Sequence, residues 1–299
     1  MEKHDSRFEA VIRQLIITGK EGHLFHSSRP DISLPSVAEL GRLMSLLKEI
    51  LFPGYFGDSP INSESITYTT ESNLRESFRI LSDQINRGFC FFCQDENKDC
   101  TICKHDSKEI GLRFIEKLPG IRQILATDAL AAFNGDPAAG HISETVLSYP
   151  SMEALTHYRC AHELLKLGVP LIPRMICEIS HSKTGIDIHP EAKIGESFFI
   201  DHGTGVVIGQ TCIIGNNVRI YQGVTLGARS FPKDSEGNPV KGIPRHPIIG
   251  DDVVIYANAT ILGRVTIGRG AVIAGNMLVT EDVEPGVKIL EMKVKNEPL

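Results

Sequence analysis

Aspartate and histidine residues recur in a short stretch of the C-terminal half of the chain, where their spacing allows acid–base chemistry. Asp187 and His202 are fifteen residues apart, and Asp201 directly precedes His202. A carboxylate that orients an imidazole is a common way to prepare a general base and to stabilise the imidazolium that forms. Histidine titrates near pH ~6.5, which suits proton abstraction at neutral pH. These residues predict a general base, His202, with Asp187 as its partner.

A six-residue repeat surrounds these residues and must position them. An aliphatic residue opens each of thirteen hexads, and a small or apolar residue usually follows four places later. Neither a helix nor a simple alternating strand keeps this spacing, whereas a parallel β-helix stacks such positions into internal ladders. A β-rich sandwich with accidental spacing is the alternative. The hexads begin at Ile188, Ile194, Ile200, Ile208, Ile214, Ile220, Leu226, Ile249, Ile255, Ile261, Ile267, Ile273 and Val279.

The repeat predicts where the candidate residues lie. Three hexads would form one coil, and the separation of fifteen positions between Asp187 and His202 is close to that length, so we expect them on neighbouring coils of the same face. Glycine, Asn and Asp residues that follow the aliphatic positions suit tight corners with positive φ. His189 alone is interpreted as a solvated residue at a coil edge.

An insertion interrupts the repeat from Ala228 to Ile248 and ends near Arg245 and His246. It contains Pro, Gly and four basic side chains. A tolerated surface loop is one interpretation, but insertions in solenoid proteins emerge from one face and often carry the site. We favour a functional loop, because Arg245 and His246 return to the stack where a coil edge could meet a neighbouring subunit. Phosphate-binding loops, Gly-x-Ser-x-Gly elbows and His-Glu-x-x-His motifs are absent from the sequence.

The first part of the chain has helical patterns instead. Ser36 to Glu39 resembles a capping box, and an apolar stripe then runs to Leu51. A second stripe, from Leu74 to Ile85, predicts a helix that ends before Gly88, and Asp106 is predicted to cap a third helix. The fold class predicted is therefore α+β. An all-α domain spans residues 1–185, a β-helix with the loop 228–248 spans 186–285, and a C-terminal tail spans 286–299.

Four cysteines form a separate cluster of two Cys-x-x-Cys pairs: Cys90, Cys93, Cys100 and Cys103. Four thiolates could hold a structural Zn²⁺ in tetrahedral geometry. The gap of six residues between the pairs is shorter than the ~15–20 of common zinc ribbons. We therefore favour ordinary reduced thiols, and we predict that the chemistry requires no metal.

Composition excludes several classes of protein. The 299 residues carry a formal net charge of −6, which argues against a general nucleic-acid binder. No apolar run approaches the ~18 residues of a membrane span, and the N-terminus has no signal-peptide pattern. Seven cysteines without a secretion signal indicate reduced thiols. The sequence predicts a soluble cytoplasmic protein without a nucleic-acid or membrane partner.

Several motifs together resemble serine O-acetyltransferases, which are hexapeptide acyltransferases. The resemblance covers about residues 110 to 285. It implies a left-handed β-helix, a homotrimer or a dimer of trimers, and acetyl transfer from acetyl-CoA to L-serine as the first committed step of cysteine synthesis. The motifs are Asn134-Gly-Asp-Pro-Ala-Ala139, Tyr158-Arg159, Asp187-Ile-His-Pro, Ile200-Asp-His-Gly-Thr-Gly205, Gln222-Gly-Val-Thr-Leu-Gly227 and Arg245-His-Pro.

The resemblance also implies roles for individual residues. His202 is expected to be the general base and Asp187 its partner. Asp136 and Asp201 are expected to receive the serine ammonium, while Arg245 and His246 hold the serine carboxylate. Positions where the family's coils face coenzyme A correspond to Gly227, Ala228, Ala257 and Gly275.

The chain departs from the family at its ends, and other functions remain open. Val272 replaces a lysine that some members carry, and the usual turn after Gly286 is missing. This turn precedes the tail through which members dock to O-acetylserine sulfhydrylase. Three alternatives are a hexapeptide acyltransferase with another small acceptor, a γ-type carbonic anhydrase with three histidines on a metal, and a non-catalytic scaffold.

Overall fold

A computed structural model describes residues 2–21, 33–57, 62, 65–92 and 100–290. Eight helices come first in these residues. The change from helices to strands falls at Gly185, whose left-handed φ of 70° ends the last helix. The helices are α1 (Glu2–Glu21), α2 (Val37–Leu51), α3 (Ser65–Phe92), α4 (Cys100–Ile115), α5 (Leu118–Gly135), α6 (Ile142–Ser148), α7 (Pro150–Lys166) and α8 (Ile172–Thr184).

Short parallel strands then wind into coils with three faces. Face A contains β1, β4, β7, β10 and β13, face B contains β2, β5, β8 and β11, and face C contains β3, β6, β9, β12 and β14. The strands are β1 (Asp187–Ile188), β2 (Lys193–Ile194), β3 (Phe199–Ile200), β4 (Val207–Ile208), β5 (Ile213–Ile214), β6 (Arg219–Ile220), β7 (Thr225–Gly227), β8 (Ile248–Ile249), β9 (Val254–Ile255), β10 (Thr260–Leu262), β11 (Thr266–Ile267), β12 (Val272–Ile273), β13 (Leu278–Val279) and β14 (Lys288–Ile289).

The aliphatic residue of each hexad stacks on its counterpart in the next coil. Ile200 pairs with Ile220, and Ile220 pairs with Ile255. All three side chains are completely buried. The predicted internal ladders are therefore present, and they supply the hydrophobic core that the short strands could not form singly.

Corners between faces need the backbone conformations that the sequence indicated. Asn217, Asp252, Asn258 and Asn276 all have φ between 56° and 61°. Asn and Asp tolerate this left-handed region better than most residues. The predicted loop leaves the corner between faces A and B, where β7 ends at Gly227 and β8 begins at Ile248.

The helical region confirms some predicted boundaries and corrects others. Ser36 caps α2, and its hydroxyl accepts from the Glu39 N–H at 3.3 Å. The predicted end before Gly88 is wrong, because α3 continues to Phe92. A Cβ on Gly88 would lie 3.1 Å from the Pro170 carbonyl oxygen, so this glycine permits close packing. Asp106 is not a helix cap, because α4 already begins at Cys100.

Side chains of α7 bind the outer edge of the first coil. In a parallel strand alternate residues direct their N–H and C=O groups to opposite neighbours. Lys193 therefore bonds to Cys212 of the second coil, whereas the carbonyl groups of Ala192 and Ile194 point away from that coil and need other donors. Tyr158 donates to the Ala192 oxygen at 2.6 Å, and Arg159 donates to the Ile194 oxygen at 2.6 Å.

A buried ion pair reinforces this junction. Arg159 Nη2 lies 3.1 Å from Asp128 Oδ1, and Asp128 also accepts from the Phe198 N–H at 3.0 Å. Burial raises the pKa of Asp128 to about 6, which still leaves the carboxyl largely ionised at neutral pH.

At the C-terminal end, β14 pairs with β12, so the coils extend beyond the predicted boundary at 285. Residues 291–299 of the predicted tail lie outside the described part of the chain. Among the cysteines of the proposed cluster, Cys90 is buried in α3, and Cys93 lies outside the described residues. No helix in the described ranges is long and apolar enough to cross a membrane.

Candidate active site

His202 lies at the corner between faces C and A in the first coil. Its φ of 56° is left-handed, a conformation that costs energy in a residue other than glycine. This backbone directs the side chain outwards, where it is 72% exposed, and its Nε2 lies 4.0 Å from Asp201 Oδ1. We call His202, Asp201, Asp136 and Tyr149 the base cluster.

Asp136 reaches this corner from the end of α5. A Cβ on Gly135 would lie 2.7 Å from Phe199 Cδ1, so the glycine lets the helix end approach β3. The Asp136 carboxylate accepts from the Tyr149 hydroxyl and, at 2.8 Å, from the Ala138 N–H. Tyr149 is the main reason that the pKa of Asp136 is lowered, and His202 contributes through its charge. Asp136 is therefore an ionised acceptor close to His202.

Asp187 does not stack against His202. It begins β1 on face A and pairs in register with Val207, twenty positions later, because two extra residues lengthen the first coil. Asp187 Oδ1 lies 3.7 Å from Arg174 Nη1 on α8. Asp187 and His202 share no hydrogen bond within the described chain. The register therefore differs from the offset of fifteen that the sequence predicted, and the pairing of Asp187 with His202 stays a proposal.

Arg245 and His246 lie at another corner, between faces A and B. The Thr211 hydroxyl receives the Arg245 N–H at 2.9 Å and the His246 N–H at 3.1 Å. It also contacts His246 Nδ1 at 2.9 Å, and the Thr211 N–H donates to the same nitrogen at 3.1 Å. We call Gln210, Thr211, Arg245 and His246 the loop cluster. These bonds fasten the end of the long loop to the second coil.

The guanidinium of Arg245 is held by one side chain, Gln210, and retains N–H donors that could bind a ligand. Its Nη2 donates to Gln210 Oε1 at 2.9 Å, and Gln210 in turn donates to Glu191. Its Nε is buried without a hydrogen-bond partner, although buried polar atoms are normally paired. Phe231 of the loop lies 5.9 Å from the guanidinium carbon. Arg245 is thus oriented and still able to bind an anion.

His246 is only 7% exposed. Burial lowers its pKa to about 4, with smaller contributions from the charges of Arg245, His189 and Arg264. The ring is therefore neutral at pH 7. Because Nδ1 accepts from the Thr211 N–H, the proton lies on Nε2, and His246 can donate a hydrogen bond from that atom.

The ladder that begins at His202 continues along the stack and reaches small residues in its later coils. The backbone hydrogen bonds between coils show which corner positions are equivalent. In successive coils these are Asp201, Tyr221 and Tyr256, whose N–H groups donate to Ile220, Ile255 and Ile273 of the next coil. His202 is therefore followed in its own ladder by Gln222, Ala257 and Gly275. Of the positions expected to face coenzyme A, Ala257 and Gly275 lie on this corner, whereas Gly227 and Ala228 lie at the end of β7.

Sequence reasoning missed Tyr149 and Thr211. Tyr149 offered no periodic signal, because it lies in the connection between α6 and α7. Thr211 could have been found from the register. The offset of 35 residues that pairs Ile213 with Ile248 also relates Thr211 to His246 and Gln210 to Arg245.

One group of possible metal ligands adjoins this region. Glu178, His181 and Asp187 have ligand atoms within 4.8 Å of one another. Arg174 forms ion pairs with Glu178 and Asp187, so its guanidinium already balances the negative charge of both carboxylates. It is the one such group among the described residues, and it has one histidine rather than the three of a γ-type carbonic anhydrase.

Known proteins resemble this chain in sequence and in fold. The model of the family described as bacterial transferase hexapeptide (six repeats) matches residues 246–276. A plasmid-encoded serine acetyltransferase of Synechococcus elongatus is 47% identical over 268 residues, which covers 88% of this chain and 84% of that protein. The chain belongs to the serine acetyltransferase family.

Other relatives agree with this assignment. A serine acetyltransferase of Bacillus licheniformis is 46% identical over 161 residues, 54% of this chain and 70% of that protein. Serine acetyltransferase 1 of Entamoeba histolytica, solved in complex with L-cysteine, is 33% identical, with a TM-score of 0.72, and the match covers 89% of this chain and 91% of that one. The predicted helical region followed by a left-handed β-helix is confirmed.

Proposed function

We propose that this serine acetyltransferase transfers the acetyl group of acetyl-CoA to the hydroxyl of L-serine, giving O-acetylserine and CoA. The observation that carries the proposal is the complementary charge of the two clusters. The base cluster offers an ionised Asp136 beside His202, while the loop cluster offers a guanidinium and a neutral imidazole donor. Serine is a zwitterion whose ammonium and carboxylate match these groups.

In this proposal the substrate is held at both ends. Arg245 and the Nε2–H of His246 bind the serine carboxylate. Asp136 and Asp201 receive the ammonium. These contacts leave the serine hydroxyl beside His202, and positioning of this kind can replace much of the entropy cost of bringing reactants together.

His202 acts as the general base. It takes the proton of the serine hydroxyl as the oxygen attacks the thioester carbonyl. It can return that proton to the departing thiolate of coenzyme A, which leaves as the free thiol. Asp187 is proposed to orient the imidazole and to offset its positive charge. The acceptor hydroxyl is itself the nucleophile, so the chain need not carry an acetyl group.

Acetyl-CoA fits beside His202. The ladder beyond His202 carries the small residues Ala257 and Gly275, and a Cβ on Gly275 would lie 3.0 Å from the Ala257 carbonyl oxygen. We propose that coenzyme A lies along this corner and reaches Gly227 and Ala228 at the end of β7. Acetyl-CoA supplies the thioester, and the residues of this chain supply the binding surface and the base.

The two clusters support a homotrimer. They lie at different corners of the triangular coil, separated by face A. One serine molecule could contact both clusters if the corner between faces A and B of one subunit lay against the corner between faces C and A of the next. We therefore propose active sites between subunits. The family resemblance supports two further proposals, the pairing of trimers and the docking of O-acetylserine sulfhydrylase.

The test measures thiol release from acetyl-CoA with L-serine and with other small amino acids and hydroxyl acceptors. We expect L-serine to be preferred. Co-expressed His202→Ala and Arg245→Ala chains should form mixed oligomers that regain activity, since some sites combine one intact base cluster with one intact loop cluster. Preference for another acceptor would refute the substrate, and mixed oligomers without regained activity would refute the shared site.

A further inference from the structure

We propose that Thr211 is the positioning residue of the carboxylate-binding pair. Its hydroxyl fixes the neutral tautomer of His246 that carries the proton on Nε2, and it sets Arg245 beside that ring. This inference rests on the proposed function of Arg245 and His246. It assigns to Thr211 a role in substrate affinity rather than in the chemical step.

The hydrogen bonds of the Thr211 hydroxyl leave one arrangement. A hydroxyl has one proton and two lone pairs. The backbone N–H groups of Arg245 and His246 can only donate, and they take both lone pairs at 2.9 and 3.1 Å. The hydroxyl proton therefore points to His246 Nδ1, 2.9 Å away. Nδ1 must accept, so the ring proton lies on Nε2.

The main chain of Thr211 enforces the same state. Its N–H donates to His246 Nδ1 at 3.1 Å. A proton on Nδ1 would therefore face two other donors, the Thr211 N–H and the Thr211 hydroxyl, and would find no acceptor. Arg264 Nη1 also bridges the carbonyl oxygens of Thr211 and His246, at 2.7 and 3.0 Å. The two corner segments are thus joined through both side-chain and backbone groups.

Gly209 provides the space for the ring. A Cβ at this position would lie 2.0 Å from Cδ2 and 2.2 Å from Nε2 of His246. Such distances are far inside van der Waals contact, so the imidazole lies directly on the glycine backbone. Thr211 holds one side of the ring while Gly209 permits its approach, and together they set the direction of the Nε2–H.

This anchoring matters because Arg245 and His246 end a long loop. Residues 230–242 of that loop are exposed, whereas His246 is 7% exposed. Without the Thr211 hydroxyl, two backbone N–H groups lose their acceptor and the ring loses one of its two hydrogen bonds at Nδ1. The carboxylate-binding pair would then sample several orientations, and serine would bind more weakly.

The experiment compares Thr211→Val, which keeps the side-chain shape, with Thr211→Ser, which restores the hydroxyl. Steady-state kinetics are measured with L-serine and acetyl-CoA. We expect Thr211→Val to raise KM for serine roughly tenfold, the scale of one or two lost hydrogen bonds, with kcat within about twofold. Thr211→Ser should return KM to near the wild-type value. Thr266→Val, the same substitution at an exposed position of face B, should change neither constant.

A spectroscopic measurement tests the tautomer directly. Nitrogen NMR of the histidine rings, with the His246 signals identified by their loss in His246→Asn, should give the Nε2–H tautomer in the wild type. Thr211→Val should shift the His246 Nδ1 signal, because that nitrogen loses the hydroxyl donor and keeps only the Thr211 N–H. Thr211→Ala also removes the hydroxyl, and it replaces Thr211→Val in both measurements if the valine variant does not fold.

Unchanged KM for serine in a folded variant without the hydroxyl, or an unchanged His246 Nδ1 signal, would overturn the proposal. So would a fall in kcat with KM unaltered. Failure of the wild-type protein to acetylate serine would instead refute the proposed function, because the NMR measurement does not depend on that activity.

Discussion

The two histidines of the candidate site differ in how the fold holds them. His202 is 72% exposed and is directed by its own left-handed backbone. His246 is 7% exposed and is directed by hydrogen bonds from a neighbouring coil. A base must accept and release a proton, so access to solvent and to substrate suits His202. A fixed donor must not change its charge, and burial that lowers the pKa of His246 to about 4 provides that constancy.

In the proposed mechanism, proton transfer and serine binding therefore depend on different histidines of the same molecule. Substitutions in the base cluster should act on kcat when they touch His202. Substitutions in the loop cluster should act on KM for serine. Each of the following changes tests whether this separation holds.

His202→Ala should have the largest effect. Loss of a general base typically costs about 10²–10⁴-fold in rate, so kcat should fall by that factor while KM for serine changes little. Asn217→Ala is a matched control, since Asn217 has the same left-handed φ of 56° at another corner. Near-normal turnover in His202→Ala would remove His202 as the base. Asp187→Asn should lose less, because the imidazole remains.

Arg245→Ala should have the next largest effect. It removes a charged donor whose Nε is buried and unpartnered, and hydrogen bonds to charged groups are worth about 1.5–3 kcal/mol. KM for serine should therefore rise by roughly 10- to 100-fold with a smaller change in kcat. Arg269→Ala removes an arginine that is 72% exposed and should leave both constants unchanged. A drop in kcat at saturating serine would contradict the assignment of Arg245 to binding.

Tyr149→Phe should give a smaller effect within the base cluster. It removes the hydroxyl that donates to Asp136 and lowers the pKa of that carboxyl. We expect KM for serine to rise about 3- to 10-fold, in line with loss of one hydrogen bond. Kinetics of Tyr68→Phe, at a position 77% exposed on α3, provide the control. If Tyr149→Phe lowered kcat alone, Asp136 would belong with the base rather than with substrate binding.

The pH dependence of stability gives the smallest effect. His246 has a pKa near 4 when folded and an ordinary value near 6.5 when unfolded. The unfolded state therefore binds the proton first, and stability is lost as pH falls from about 6.5 towards 4. Denaturant unfolding at several pH values should show a weaker loss in His246→Asn than in the wild type. Equal slopes would mean that His246 is more exposed in solution.

The sequence predicted the repeated elements well and the contacts between them poorly. The hexads located the coils, because each aliphatic residue has one buried position that fits it. The register of Asp187 differs from the predicted one, because Val206 and Val207 lengthen the first coil. The bond between Tyr149 and Asp136 depends on how α5, α6 and α7 pack, and no local pattern encodes that packing.

The bonds from α7 to the first coil have a consequence for aggregation. Tyr158, Arg159 and His162 occupy the carbonyl groups of Ala192, Ile194 and Pro190. A row of free carbonyl groups on a parallel sheet would be a template for the N–H groups of another chain. An uncovered last coil would offer both N–H and C=O groups at its outer edge, because alternate residues of a parallel strand turn both groups away from the stack. A β-helix cut free of its helices would therefore be able to add copies of itself end to end, and α7 blocks that fibre at its first step.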